Sequence, residues 1–223
     1  MKQKKMHLKH QYNTAFIVNE AKGLIYSTVT ITLLIFIFSS SIFFKFISLF
    51  VLIFLFYIFR NPERHSTELD ENAIISSADG LVESIEEDFD NKFFKQGAYR
   101  IVFSRTIFDT TMLRASFNSK TKAQTLMNGL HLSINSQYCE ILNQGGSLYL
   151  CQGTKKCVAI AHKCGLFKMR LFYKQPKDLQ VGERYGYIIG GKIEMYLPLS
   201  TRIAVEKGDR VLAGETLLAY FAA

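Results

Sequence analysis

The chain lacks the cysteine spacing of a zinc site. No two of its four cysteines, Cys139, Cys151, Cys157 and Cys164, form a C-x-x-C pair, so a zinc site is not expected. The pattern favours free thiols in a reducing compartment, although the clustering of the cysteines leaves a disulfide open. The second half lacks a long amphipathic helix. No small-residue cleavage site follows the apolar N-terminal run, so a cleaved signal peptide is not expected either.

The charge is unbalanced toward the basic side. The 223 residues include 27 Lys and Arg against 19 Asp and Glu, a formal net charge of +8. This excess favours an anionic partner, either a phospholipid surface or a nucleic acid. Because no RNA-binding motif frames the many aromatic residues, nucleic acid is not predicted as a partner.

One long segment, residues 24–59, is largely apolar, with polar interruptions that include Ser39–Ser41 and Lys45. As a single helix it would measure about 54 Å, too long for a hydrocarbon core of about 30 Å. We therefore predict a transmembrane or re-entrant α-helical hairpin that folds back between Ser39 and Lys45. One long tilted helix is the alternative.

Basic residues flank this apolar segment on both sides. They are Lys2, Lys4, Lys5, Lys9 and Lys22 before it and Arg60 and Arg64 after it. Both flanks should therefore face the cytoplasm, at the inner or cell membrane, and the N-terminal lysines should touch anionic lipid headgroups. We divide the chain into a basic N-terminal segment (1–23), a membrane hairpin (24–59) and a β domain (60–223).

The rest of the chain reads as short strands separated by turns, as the alternation of apolar and polar residues in Lys192–Leu197 illustrates. The predicted strands are Ala73–Ile75, Leu81–Ile85, Tyr99–Phe103, Leu148–Cys151, Cys157–Ala161, Lys168–Tyr173 and Lys192–Leu197. The fold class is mostly β.

Two segments read as halves of a repeat. They are Ile75–Ile85, with the turn Ala78–Gly80 inside it, and Ile203–Ala219, in which glycines punctuate a similar strand pattern. The pairing resembles the barrel-sandwich of biotinyl and lipoyl carriers, which indicates fold rather than function. A carrier's Met-Lys-Met is missing.

Four blocks stand out along the chain: Phe59–Arg64, Ile75–Gly80, Phe108–Arg114, and Gly182–Pro198 with the glycines that follow it. Their residues and their order resemble the short-chain, archaeal-type phosphatidylserine decarboxylases, with Phe108–Arg114 the weakest match. The resemblance implies a membrane enzyme that converts phosphatidylserine to phosphatidylethanolamine. In that family the proenzyme cleaves itself before a serine, which becomes a pyruvoyl group that forms a Schiff base with the substrate amine.

The resemblance places the family's site on particular residues and shows where this chain departs from it. Asp79 falls at the acid that assists self-cleavage, and Gly190 falls just before the cleaved bond. Gly191 replaces the pyruvoyl-forming serine, and Thr111 replaces a histidine, whereas Arg114 is retained. Without a hydroxyl at residue 191, the pyruvoyl group is not expected to form, and the predicted protein is catalytically impaired.

Other interpretations stay open at this level. Gly146–Ser147 is the only Gly-Ser pair and reads first as a turn, with a displaced cleavage site as the alternative. Asp79 and Gly80 are equally typical of a hairpin turn. His131 and His162 read as surface or structural residues. The protein would otherwise be a non-enzymatic phospholipid-binding scaffold or a β-sandwich membrane adaptor, and a homo-oligomer is compatible with either.

Overall fold

The structure is a computed structural model. It describes residues 17–18, 21–64, 70–133, 136–153, 156–163, 165, 169–172 and 177–222. The predicted headgroup contacts of Lys2, Lys4, Lys5 and Lys9 therefore lie outside the described residues.

Two helices, α1 (Lys22–Phe38) and α2 (Ile42–Ile58), form a packed helix pair at the N-terminal end. At 17 residues each, they are about 26 Å long. The chain reverses at Ser39–Ser41, where the Ser39 hydroxyl accepts the Ser41 N–H at 3.2 Å. At the other end of the pair, the Val18 N–H donates to the Phe59 carbonyl at 3.2 Å. The predicted alternative of one long helix is therefore wrong.

The buried residues of the two helices are Ile25, Thr32, Ser48 and Ile58, whereas most of their large apolar residues are exposed. Phe38, Ile42 and Phe50 are among the exposed residues. The Ser48 hydroxyl donates to the Lys45 carbonyl of its own helix at 2.9 Å. Among the residues that the structure describes, no helix has both the length and the apolar character needed to cross a membrane. The membrane setting of the pair stays a prediction.

The rest of the described chain is mostly β-structure, as predicted from its pattern. Its strands are β1 (Ala73–Ile75), β2 (Gly80–Asp88), β3 (Ala98–Arg105), β4 (Met112–Arg114), β5 (Ser119–Met127), β6 (Gly145–Gln152), β7 (Lys156–Lys163), β8 (Arg170–Leu171), β9 (Asp178–Leu179), β10 (Arg184–Tyr187), β11 (Gly191–Pro198), β12 (Arg202–Ile203), β13 (Arg210–Val211) and β14 (Leu217–Tyr220). One short helix, α3 (Cys139–Leu142), lies between β5 and β6.

An eight-stranded antiparallel sheet, in the order β13-β2-β3-β11-β7-β6-β5-β9, curls into a half-barrel. Two three-stranded sheets, β1-β14-β12 and β4-β10-β8, accompany it. Strand β11 lies between β3 and β7 and directs Ile193, Met195 and Leu197 into the core, where each is fully buried. Alternate residues of a strand face opposite sides of the sheet. The pairing of β11 therefore sets which side of the sheet each residue that follows Gly191 faces.

The two predicted repeat halves pair with each other. Strand β1 pairs with β14 and β2 pairs with β13, and the Ser76 N–H donates to the Thr216 carbonyl at 2.8 Å. Because β1 and β2 belong to different sheets, Ala78–Gly80 connects two sheets. The hairpin interpretation of this turn is wrong.

Three other local expectations need correction or restriction. Cys151 and Cys157, directly opposite each other on β6 and β7, form a disulfide, so the free-thiol interpretation is wrong for this pair. Within predicted strand Lys168–Tyr173, only β8 is extended among the described residues. Gly145–Ser147 lies within strand β6 and is not a turn.

Candidate functional site

Asp79 lies at the junction between β1 and β2, and its buried carboxylate accepts hydrogen bonds from several groups. The Arg64 guanidinium binds both carboxylate oxygens, one of them at 2.9 Å. The backbone N–H groups of Ala213 and Thr110 donate at 2.8 and 3.2 Å. Burial alone raises the pKa of Asp79, but the Arg64 and backbone hydrogen bonds outweigh it and hold the pKa below its usual value. The carboxylate is therefore ionised and well satisfied near neutral pH.

Arg64 reaches this carboxylate from the segment that leaves the helix pair. Proline at residue 62 cannot continue a helix easily, and its carbonyl accepts a hydrogen bond from Arg114 at 2.9 Å. The Arg64 guanidinium also donates to the Thr110 hydroxyl at 3.2 Å. The segment from Asn61 to Arg64 thus ties the helix pair to the β-structure beside Asp79.

Arg105 connects Asp79 to the strand that begins at Gly191. It lies at the end of β3, directly opposite Gly191, and it is buried. Its guanidinium donates to the backbone carbonyls of Asp79 at 2.7 Å and Ile188 at 3.3 Å. Burial lowers the pKa of Arg105, and the nearby Asp79 and Asp109 charges partly offset this. Sequence reasoning missed Arg105, although a charged residue two positions after the apolar run Ile101–Phe103 was a usable signal.

Gly190 and Gly191 form the bend that leads into β11. Both are buried, and both have positive φ angles, 62° and 95°. Residues with a Cβ adopt this region at a cost of about 1–2 kcal/mol, so the bend favours glycine. Neither residue offers a side-chain oxygen to attack the intervening peptide bond.

Thr111 and Arg114 hold the backbone around this bend. Thr111 is buried, its carbonyl accepts the Ile188 N–H at 3.0 Å, and its hydroxyl has no hydrogen-bond partner among the described residues. Arg114 donates to the Gly182 carbonyl at 3.1 Å. The structure thus gathers Asp79, Gly190, Gly191 and Thr111 around Arg105, while Arg114 supports the neighbouring loop.

Ser147 occupies a regular strand position. Its strand pairs on both sides, with β5 and β7, and its hydroxyl lies 2.7 Å from that of Thr125. Its flanking glycine, Gly146, does not have a positive φ. The Gly146–Ser147 pair therefore lacks the bent backbone seen at Gly190–Gly191.

His162 is a buried core residue, in agreement with the structural interpretation. Its Nε2 lies 3.0 Å from the Tyr185 hydroxyl. Burial lowers its pKa to about 4, so the imidazole is neutral near pH 7. His131 is exposed.

Comparisons with known proteins show the family to which the chain is similar. The family described as "Phosphatidylserine decarboxylase" matches residues 51–219. The chain is 30% identical over 172 residues to the phosphatidylserine decarboxylase proenzyme of Syntrophus aciditrophicus (strain SB), covering 76% of this chain and 80% of that one. It is 32% identical over 176 residues to the proenzyme of Desulfotalea psychrophila (strain LSv54 / DSM 12343), covering 78% and 82%. No solved structure matches the chain.

The chain belongs to the phosphatidylserine decarboxylase family. This membership supports a role in phospholipid biosynthesis, and the family is pyruvoyl-dependent. The pyruvoyl group is made from the protein's own serine, and the residues at the Gly190–Gly191 bend do not fit that chemistry, because Gly191 has no side chain.

Proposed function

We propose that this chain is a membrane-associated, short-chain-type member of the family that acts in phosphatidylethanolamine biosynthesis but is catalytically impaired. One observation carries the proposal: residue 191, the predicted position of the pyruvoyl-forming serine, is a glycine in a bend with φ of 95°. Without the serine oxygen, no internal ester forms and no ketone is released to accept electrons from the substrate.

The surroundings of Asp79 support the impaired state. Its carboxylate already accepts hydrogen bonds from Arg64, Ala213 and Thr110, and its pKa is lowered. A general base works best with a pKa near the operating pH, so Asp79 is poorly suited to take a proton near pH 7. Thr111, at the family histidine's position, offers no titratable group there.

The helix pair supports membrane association. Large apolar side chains of α1 and α2 face outward, and contiguous exposed apolar surface usually marks a binding surface. Lys22 and Arg60 lie at the base of the pair, next to the β-structure, where cations favour anionic headgroups. The proposed location is the cytoplasmic face of the cell membrane.

An activity assay tests the impaired state. The purified full chain is incubated with vesicles that contain phosphatidylserine, and phosphatidylethanolamine is measured by mass spectrometry. The Syntrophus aciditrophicus relative serves as the positive control. We expect no product above background from this chain. Sustained turnover would refute the impaired state.

A second candidate function is non-enzymatic binding of anionic phospholipid, favoured by the net charge of +8 and the exposed apolar helix pair. It predicts that the protein floats with phosphatidylserine vesicles more strongly than with phosphatidylcholine vesicles. Equal flotation with both would remove this candidate.

A further inference from the structure

One loop of the Asp79 site also contacts the base of the helix pair. This site loop, residues 106–111, carries Phe108, whose side chain is 52% exposed. The Phe108 ring lies 6.3 Å from the Tyr57 ring of α2. Arg60 donates to the Phe108 carbonyl at 2.9 Å, and its guanidinium lies 4.1 Å from the centre of the Tyr57 ring. Aromatic and cationic side chains therefore form one exposed group at the foot of α2.

The inner side of the same loop is fixed by hydrogen bonds. The Asp109 carboxylate accepts the Thr106 N–H at 2.7 Å and pairs with Arg210 at 2.6 Å. The next residue, Thr110, donates its backbone N–H to Asp79. These contacts therefore fix the loop with the Phe108 ring on its outer side, away from the apolar core.

We propose that Phe108, with Tyr57 and Arg60, is a second lipid-contacting surface, which seats the site loop in the headgroup region of an anionic phospholipid membrane. The proposal rests on the proposed membrane association of the helix pair and adds a contact made by the β-structure itself.

The chemistry of the three side chains favours a lipid surface as the occupant. Aromatic rings concentrate at membrane interfaces, where their apolar bodies contact acyl chains. A guanidinium beside them suits a lipid phosphate. The surface is also continuous with the exposed apolar side chains of α2, such as Phe50 and Ile53. If the helix pair enters the bilayer with Ser39–Ser41 foremost, its base and Phe108 reach the interface together.

The proposed contact also concerns the Arg64–Asp79 pair, which lies beside the base of α2. Thr110 follows Phe108 by two residues and contacts both members of the Arg64–Asp79 pair. Seating Phe108 at the interface places this pair within reach of the headgroups.

The absence of tryptophan from the chain allows a direct test with single-tryptophan variants of the full-length protein. Phe108→Trp reports on the site loop and Phe50→Trp on the helix pair. Phe89→Trp is the matched control, because Phe89 is an exposed aromatic residue at the far end of nine-residue β2, about 30 Å from Gly80. Each variant is mixed with phosphatidylcholine–phosphatidylserine vesicles that carry a nitroxide either near the headgroup or near the acyl-chain end.

Quenching of Phe108→Trp by the shallow nitroxide, with no quenching of Phe89→Trp, is the expected result. Quenching of Phe50→Trp alone would overturn the Phe108 surface and leave membrane association of the helix pair standing. If none of the variants is quenched, membrane association fails as well. Equal quenching of the Phe89 and Phe108 variants would also contradict a specific surface.

A partition measurement makes the test independent of tryptophan packing. Since about half of the Phe108 ring is already covered, Phe108→Ser should weaken binding to the mixed vesicles by about fivefold. Phe89→Ser should leave binding unchanged. Equal binding by the two serine variants and the unsubstituted protein would overturn the proposal.

Discussion

The helix pair and the β-structure dispose their apolar side chains in opposite ways. In the half-barrel, Phe103, Ile193 and Met195 are fully buried, whereas in the helix pair Phe38 is 80% exposed and Thr32 is buried. Burial of apolar surface from water stabilises the half-barrel. Small residues between outward-facing apolar chains are typical of helices that pack in lipid. The proposed membrane association of the helix pair accounts for this contrast.

The two regions meet at a polar joint next to Asp79 and at an apolar cluster that includes Ile25 of α1 and Met112 of β4. Arg64 leaves the helix pair and pairs with Asp79 on the sheet side, while Arg60 holds the site loop. The joint fixes which end of the helix pair lies near the Asp79 site.

Substitution of two phenylalanines, one in each region, should show the largest difference between the regions. Phe103→Ala should lower the free energy of unfolding by about 3–5 kcal/mol, because it leaves a cavity in the core. Phe50→Ala should change that free energy by less than about 0.5 kcal/mol and weaken vesicle binding. Urea unfolding in mild detergent measures the change in stability, and a separate flotation assay measures vesicle binding. Similar losses of stability in the two variants would contradict the opposite placement of apolar side chains in the two regions.

The joint itself can be broken with Arg64→Gln. Loss of the cation leaves Asp79 buried without its charge partner, which should cost about 3 kcal/mol. The folded-state pKa of Asp79 lies below its ordinary value of 3.8, so the pair stabilises the fold above about pH 4 and this contribution is lost as the pH falls further. Urea unfolding at neutral pH and near pH 3 should show the variant and the parent converging. Arg64→Lys, which keeps the charge, is the control and should recover part of the loss.

His162 tests whether the core of the half-barrel excludes water. Its folded-state pKa of about 4 lies below the ordinary 6.5, so the unfolded chain takes up the proton first. Stability should therefore fall as the pH drops from 6.5 toward 4, by about 3 kcal/mol in total. Urea unfolding across this range detects the slope, which His162→Gln should flatten. A folded-state pKa near 6.5 by NMR would contradict the buried neutral imidazole.

Glycine substitutions should produce the smallest effects and have opposite signs in the two regions. Gly191→Ala should cost about 1–2 kcal/mol because φ is 95° there. Gly23→Ala should stabilise helix α1 by up to about 1 kcal/mol, because an added Cβ there meets nothing within 4 Å. Thermal unfolding of the two variants shows whether each substitution raises or lowers the stability of the protein. A neutral Gly191→Ala would show that the bend does not require glycine.

Local sequence patterns were sufficient for much of the β-structure. Six of the seven predicted strands lie within observed ones, since alternation and β-branched residues report on burial directly. Strand β5 was missed because Ser119–Met127 is mostly polar and largely exposed. The turn predicted at Gly145–Ser147 was wrong, because these small residues lie in β6, which pairs with β5 and with β7, and not at a chain reversal.

The site was only partly predictable. Asp79, Gly190, Gly191 and Thr111 came from the family resemblance, and the structure places Arg105 between Asp79 and the start of β11 at Gly191. Arg105 and Arg64 act through contacts with residues distant in sequence, which no local pattern encodes. Arg64 was noted as a flanking charge and as the end of the block Phe59–Arg64, but its contact with the buried carboxylate of Asp79 was not predicted.

The intact mass of the purified full-length protein tests the central claim most directly. Because Gly191 has no side-chain oxygen to attack the Gly190 carbonyl, we expect one species at the full-length 25.5 kDa. Two fragments, the smaller one blocked at its N-terminus, would contradict the account and show that a pyruvoyl group forms elsewhere in the chain.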